Sequence, residues 1–538
     1  MNKSIKRVFV LILLVSSLIL TSCADADVGN IFTGDNIEID NTVHIAAERI
    51  ETLNPLLSFD EQTIQISRLV YSSLFTFDEN LIPIGELAEK YSYSEDEKSI
   101  DIVIRDDVYW HDGEKLTGTD VKYTVETIKS LANYGETPYG NYVSNIRTVK
   151  VDADNPYLIT FTFGYDVSKG LENFTFPILP SHIYSSRNAV SEMRNDKTDF
   201  IPVGSGKYMV SDYNKNKSLT LTANEDYFGK KPQNTLVFEI LPDIETGINL
   251  TEITAVSLVL MTDYERETHI TDKDLIINNF PSNKTEVIGF NLYGVHTSDK
   301  YFRKGIASLV DNNMLFDSVY YENGYLTDSI LYPGYYGTIE SVDAYPYDKE
   351  FALECFERAG YQDRDNDGYL ENQYNEEVYL SILVDASDET KYRTASIISE
   401  SLNDAGIRAT VDAVDKMTMQ YKIDKYEYNI FIATATINER HDLRPLLHSS
   451  YGNPAGYSDE KVNEYTERLI SNISVEDKKI VVNRLEEKLK EDLPYYPIVC
   501  KSYGLMSINE FDGDLAPVFN NIYSNSEEWR IEKNLEKN

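Results

Sequence analysis

Three aspartates spaced two residues apart, Asp363, Asp365 and Asp367, followed at once by Gly368, carry the sharpest chemical signal in the chain. They supply the first, third and fifth ligand positions and the turn glycine of a calcium loop. The twelfth position of such a loop takes a bidentate glutamate, and here it is Tyr374. Two readings stand: a structural calcium site lacking its bidentate ligand, or a plain Asp-rich turn. His182 invites a metal or catalytic role, but no carboxylate lies at ligand spacing, so a structural histidine at a helix start is expected. Gly204-Ser205-Gly206 fails as a phosphate cradle, because the glycine pattern is incomplete and a strand follows it. No Gly-x-Ser-x-Gly, His-Glu-x-x-His or Ser-x-x-Lys occurs, so no catalytic residue is assigned and no enzyme is expected. Cys355 and Cys500 form no Cys-x-x-Cys; two buried thiols are favoured over a disulfide, which an exported protein permits. No cofactor is implied.

A chain of 538 residues exceeds one ordinary core, so two to four lobes are expected. The formal charge of −39 argues against nucleic acid and against electrostatic docking on anionic lipid. Residues 1–22 read as a signal peptide: Lys3, Lys6 and Arg7 precede an apolar run, Val8–Leu20, that is too short for a comfortable span. Leu20-Thr21-Ser22-Cys23 resembles the bacterial lipobox, which would make Cys23 the lipid-modified first residue of the mature protein. An ordinary signal peptide with a cysteine there is the alternative. Residues 23–41 are polar and acidic and read as a flexible tether.

Periodicity supplies the elements. Val43–Ala47 is an expected strand, Leu53-Asn54-Pro55-Leu56 a turn, and residues 62–75 a helix with Ile66, Leu69, Val70 and Leu74 on one face. Ser99–Ile104 alternates as a strand, and His111-Asp112-Gly113-Glu114 has tight-turn chemistry. Thr119 stands where a helix N-cap is expected, ahead of Val121, Val125 and Ile128. Residues 302–311 read as a helix with a basic, solvated end. Strand 378–384, helix 389–405 and strand 408–414 form a βαβ unit, and two helices over 459–473 and 475–492 precede a strand at 494–499.

The run Trp110-His111-Asp112-Gly113-Glu114-Lys115-Leu116-Thr117-Gly118-Thr119-Asp120-Val121 resembles the signature of extracytoplasmic solute-binding protein family 5, the peptide and nickel binders of ABC importers. Pro180-Ser181-His182, Gly204-Ser205-Gly206-Lys207-Tyr208 and Gly289-Phe290-Asn291 extend the likeness; the family's usual Gly-Glu pair is missing from 247–261.

The resemblance implies an α/β fold of periplasmic-binding-protein-like class II, with two lobes joined by a hinge and an extra domain inserted in the first lobe. The expected division is 42–75 with 200–285 and 500–538 for lobe I, 76–199 for the inserted domain, and 286–499 for lobe II. It also implies a lipid-anchored monomer on the extracytoplasmic face of the bacterial cell membrane, which passes peptides or similar small solutes to an ABC permease. The alternative is a lipoprotein of the same fold that has lost standard peptide binding and serves sensing, signalling or surface assembly. By analogy with peptide-binding members, ligand contacts map to Ser58, Phe59, Asp60 and Tyr139. The aspartate that meets a peptide ammonium maps to Asn438 and Glu439; Asn438 cannot pair an ammonium as a carboxylate does. The signature turn itself is expected to belong to the inserted domain's core, with recognition residing elsewhere.

Overall fold

The computed structural model describes residues 37–184, 202–251, 255–262, 276–337, 345–507 and 511–534. The expected signal peptide, Cys23 and residues 23–36 of the expected tether lie outside them. The tether's last residues differ from expectation: Ile37–Asp40 is a strand (β1), where two β-branched isoleucines alternate with acids. Residues 40–531 form one compact unit. Among the described residues no helix is long and apolar enough to cross a membrane.

Lobe I is built on a four-stranded sheet. Strand β2 (Thr42–Ala47) lies parallel to Thr235–Ile240, which continues antiparallel through Ser218–Ala223 to Tyr208–Asn214. Helix α1 (Glu61–Val70) is shorter than its apolar period suggested. Tyr71 is already extended, and Phe75–Phe77 leaves to pair with Pro83–Gly85 as a small hairpin. The carboxyl end of α1 meets the Gly204-Ser205-Gly206 crossing at very short range. A Cβ on Gly204 would stand 1.8 Å from the Val70 carbonyl oxygen, and one on Gly206 would stand 2.5 Å from that of Leu69. These glycines thus serve close approach, and neither adopts a positive φ.

The inserted domain carries a second four-stranded sheet, in the order Ala88–Tyr93, Ser99–Ile104, Leu158–Phe163, Ile146–Val151. Helix α2 (Gly118–Ala132) buries Val121, Val125, Ile128 and Leu131 in the same core. Its cap is Thr117, two residues before the expected Thr119: the Thr117 hydroxyl accepts the Thr119 N–H and Asp120 accepts the Thr117 N–H at 2.8 Å. Trp110 is buried at 2 % exposure, and His111 fastens this domain to lobe I. His111 Nδ1 accepts the Gly204 N–H at 3.1 Å, so Nε2 carries the proton that faces the Gly206 carbonyl at 3.2 Å. Burial pushes the imidazole down to about 4. His182 finds a carboxylate that its local sequence did not show, Asp112, at 2.8 Å.

Lobe II contains the βαβ unit. Tyr379–Asp385 and Arg408–Val414 run parallel, linked by helix Glu389–Asp404, and β3 (Ile430–Thr436) joins the other edge. Two long strands, β4 (Ile276–Phe290) and β5 (Tyr495–Ser507), pair antiparallel and carry this sheet into lobe I, where Val259–Thr262 adds to β5. The expected division at 285/286 falls inside β4. Cys355 and Cys500 are both buried free thiols. One expectation fails clearly here: Arg303, read as solvated, is 3 % exposed. Its guanidinium donates to the carbonyls of Thr297, Ser298, Asp492 and Leu493, and burial lowers its pKa.

Candidate functional site: a charged node between the lobes

Helix α1 presents two charged side chains away from its buried face. Asp60 caps the helix, accepting the Thr63 N–H at 2.7 Å, and Glu61 follows in the first turn. The Glu61 carboxylate accepts the Tyr503 hydroxyl at 3.2 and 3.3 Å, against strand β5. Burial raises the Glu61 pKa, opposed by Lys284 and Tyr503 and reinforced by the charges of Glu439 and Asp60. Lys284 lies over the Tyr503 ring at 5.3 Å. Near the other end of α1, Arg68 donates one nitrogen to the Asn520 carbonyl and pairs another with Glu439 at 2.5 Å.

Glu439 arrives from lobe II on the turn that follows β3. Asn438 builds that turn: its carbonyl accepts the His441 N–H at 2.8 Å and its side-chain oxygen the Asp442 N–H at 3.2 Å. His441 sits at φ 51 and stacks on Tyr335 with ring centroids 3.6 Å apart. Its Nδ1 faces the Glu439 carbonyl at 3.2 Å, while Nε2 is buried with no hydrogen-bond partner. Burial, with Lys478 nearby, pushes this imidazole down to about 3.

The arginines of the turn reach the inserted domain. Arg440 donates to the Asn141 carbonyl at 3.1 Å and to Asn173 Oδ1 at 3.0 Å, with Tyr142 4.9 Å below its guanidinium. Arg444 holds Asp442 through two nitrogens, at 2.9 and 2.8 Å, and meets Asp166 at 3.2 Å. Behind them Glu172 of the inserted domain pairs with Lys478 of lobe II and accepts the Tyr336 hydroxyl at 3.0 Å. Glu172 and Lys478 are only 3 % and 4 % exposed.

Of the residues expected to touch ligand, the structure brings Tyr139 and Glu439 to one place, with Arg68 as the link. Tyr139 is 4 % exposed, packs edge-on against Tyr142 at 5.4 Å, and feels the charges of both Arg68 and Glu439. Burial raises the pKa of both phenols, so they remain protonated donors. Ser58 is buried and its hydroxyl accepts the Asp60 N–H at 3.2 Å, while Phe59 is 62 % exposed beside it. Asp60 is engaged as a cap and Asn438 as the brace of its turn. Sequence reasoning missed Arg68, Glu61, Tyr142 and Tyr503. An acidic pair at a helix start reads as capping charge, and Arg68 reads as the polar side of an amphipathic helix.

The Asp-rich turn is a separate feature of lobe II. One carboxylate oxygen from each of Asp363, Asp365, Asp367 and Glu371 lies within 4.8 Å of the others, so Glu371 adds a fourth carboxylate at the ninth position of the loop. These four could hold a divalent cation. The same groups also shape the turn: Glu371 accepts the Arg364 N–H at 2.7 Å, Asp363 that of Gly368 at 3.0 Å, and Asp365 that of Asp367 at 3.1 Å.

The architecture is thus two lobes sharing two long crossing strands, with a charged turn of one facing a helix of the other and an added domain closing the side. The sequence model for bacterial extracellular solute-binding proteins, family 5, matches residues 83–457. This chain belongs to that family. The oligopeptide-binding protein AppA of Bacillus subtilis is 22 % identical over 456 residues, covering 82 % of each chain. Among solved structures, HbpA2 from Haemophilus parasuis superposes with a TM-score of 0.78 at 17 % identity, covering 92 % of this chain and 100 % of that one. NikZ from Campylobacter jejuni, solved with Ni(L-His), gives 0.65 at 20 % identity, covering 91 % and 99 %. At such identities the structural likeness speaks for the fold. The two-lobed class II architecture with an inserted domain is therefore that of the family, and a solute-binding role comes with membership.

Proposed function

We propose that this family 5 protein is the receptor of an ABC importer, capturing peptides or a similar small solute between its lobes and handing it to a membrane permease. The observation that carries this reading is the convergence at Arg68 and Glu439. Helix α1 of lobe I, the Tyr139 loop of the inserted domain and the 438–444 turn of lobe II meet there, as a site between lobes requires. Phe59, Ser58 and Asp60 form the lobe I lip of the site, and Asn438 with Glu439 the lobe II side. The chain acts as a binder and not as an enzyme. It is held on the extracytoplasmic face by lipid on Cys23 and works as a monomer.

Native mass spectrometry of the purified protein is the direct test: a peptide-sized solute released on denaturation is expected, and a protein that carries none and binds no peptide pool would defeat the reading. Radiolabelled palmitate should enter the wild type in its host and not Cys23→Ser. The second reading, a lipoprotein of this fold serving sensing or surface assembly, is favoured by one observation. Glu439, the carboxylate nearest the expected ammonium anchor, is already paired with Arg68.

A further inference from the structure

The pairing of Arg68 with Glu439 also bears on which solutes the site accepts. We propose that Arg68 determines specificity by receiving a carboxylate of the solute, and that Glu439 occupies that place as the chain's own stand-in. The inference rests on the receptor reading above and narrows its substrate class to carboxylate-bearing molecules.

Three observations support it. First, the guanidinium is positioned independently of Glu439. Arg68 belongs to a capped helix in the lobe I core, and one of its nitrogens is held by the Asn520 carbonyl. The fork is thus aimed before any acid arrives, which is the condition for binding a planar carboxylate through two nitrogens. Second, the acid comes from a different kind of element. Glu439 rides on a turn outside regular structure, next to the exposed Asn438, and reaches Arg68 across 371 residues of sequence. Third, the two phenols beside the pair are donors. Tyr139 and Tyr142 keep their protons, and both feel Arg68 and Glu439. Arg440 is turned away to Asn141 and Asn173, so it does not compete for the same acid.

Exchange of one carboxylate for another leaves the charge at the node unchanged. A half-buried guanidinium is never stripped of its partner, so the large cost of an uncompensated charge does not arise. A neutral solute offers Arg68 nothing to replace Glu439, and selectivity follows.

The test uses two pools of short peptides, identical except that one ends in free carboxylates and the other in C-terminal amides. Each is titrated into the full-length mature protein, its Arg68→Gln and Arg68→Lys variants, and Glu439→Gln, with thermal melts to verify folding. The wild type should bind the free-acid pool at least about tenfold tighter than the amides. Arg68→Gln should lose that preference, Arg68→Lys should keep part of it, and Glu439→Gln should tighten the free-acid pool by removing its competitor. A preference retained in Arg68→Gln overturns the inference. So does Glu439→Gln weakening both pools alike, which would make the pair a clasp between lobes. Equal binding of both pools by the wild type preserves the receptor reading and ends this one. If neither pool binds, the cargo seen by native mass spectrometry decides: one without a carboxylate overturns the inference, and one with a carboxylate sustains it. Absence of both cargo and peptide binding removes the receptor reading and this inference with it.

Discussion

The turn at Trp110–Gly113 and the turn at Asn438–Arg444 each carry a histidine, at least one acidic side chain and a left-handed backbone position, Gly113 at φ 89 in one and His441 at φ 51 in the other. They differ in what those groups are bonded to. In the first, His111 saturates both ring nitrogens on the backbone of the 204–206 crossing, and Trp110 fills the inserted domain's core. In the second, three charged side chains reach out of lobe II: Glu439 to lobe I, Arg440 and Arg444 to the inserted domain. The turn that names the family is thus a construction joint. The turn at Asn438–Arg444 is the one proposed above to meet a solute, and the following substitutions and conditions bear on that contrast.

The largest effect belongs to the joint. Trp110→Ala should cost about 3–5 kcal/mol of stability by cavity formation, read by urea denaturation, while surviving folded protein keeps the wild type's choice of ligand. Altered selectivity at full stability would reverse the assignment. A comparable loss, again about 3–5 kcal/mol, is expected for Lys478→Met, because Glu172 is left charged and buried. Replacing both, as Glu172→Leu with Lys478→Met, should recover most of it; failure to recover would assign the remaining cost to the Tyr336 hydroxyl, which loses Glu172 as its acceptor.

Acid should affect both turns. Each histidine holds its proton less readily folded than unfolded, from an ordinary value of 6.5 down to about 4 for His111 and about 3 for His441. Stability is therefore fully present above about pH 6.5 and falls as pH drops through the window down to those folded values, by about 3 kcal/mol for His111 and about 5 kcal/mol for His441. His441→Phe, which preserves a ring against Tyr335, should flatten part of that acid slope in pH-dependent melting. An unchanged slope would place the titration elsewhere. The smallest effect separates binding from folding: Phe59→Ala should shift stability by no more than about 0.5 kcal/mol yet weaken solute binding by about 1–3 kcal/mol, measured by calorimetry. Unchanged affinity would remove Phe59 from the lip.

Legibility followed the range of the interactions. Strand Arg408–Val414 and helix Val475–Asp492 stand where periodicity placed them, since each is specified by its own apolar spacing and cap. The end of α1 carries no mark in its own residues, because the chain leaves the helix at Tyr71 to serve other segments: the Ser73 N–H donates to Glu86 and its hydroxyl to the Thr175 carbonyl. Arg303 looked solvated because the carbonyls that bury it carry no mark in sequence. The charged node is half legible for the same reason. Tyr139 and Glu439 came through the family pattern, whereas Arg68 gains meaning only when a turn 371 residues away folds onto it.

The two crossing strands have a mechanical consequence. Their register passes from Pro281 opposite Ser502 to Thr285 opposite Cys500, so three residues of β4 face the single Lys501 of β5. Surplus backbone at that point makes a bulge, where a paired ribbon bends most easily. On either side the strands are hydrogen-bonded neighbours, so the lobes hang on one ribbon and not on two separate cords. Such a ribbon is soft to bending out of its plane and stiff to in-plane sliding. A second register shift follows at Glu286/Val287, so swing and twist of the lobes should centre on residues 282–287, and amide protons at 282–284 should exchange faster than those of the ladders flanking them.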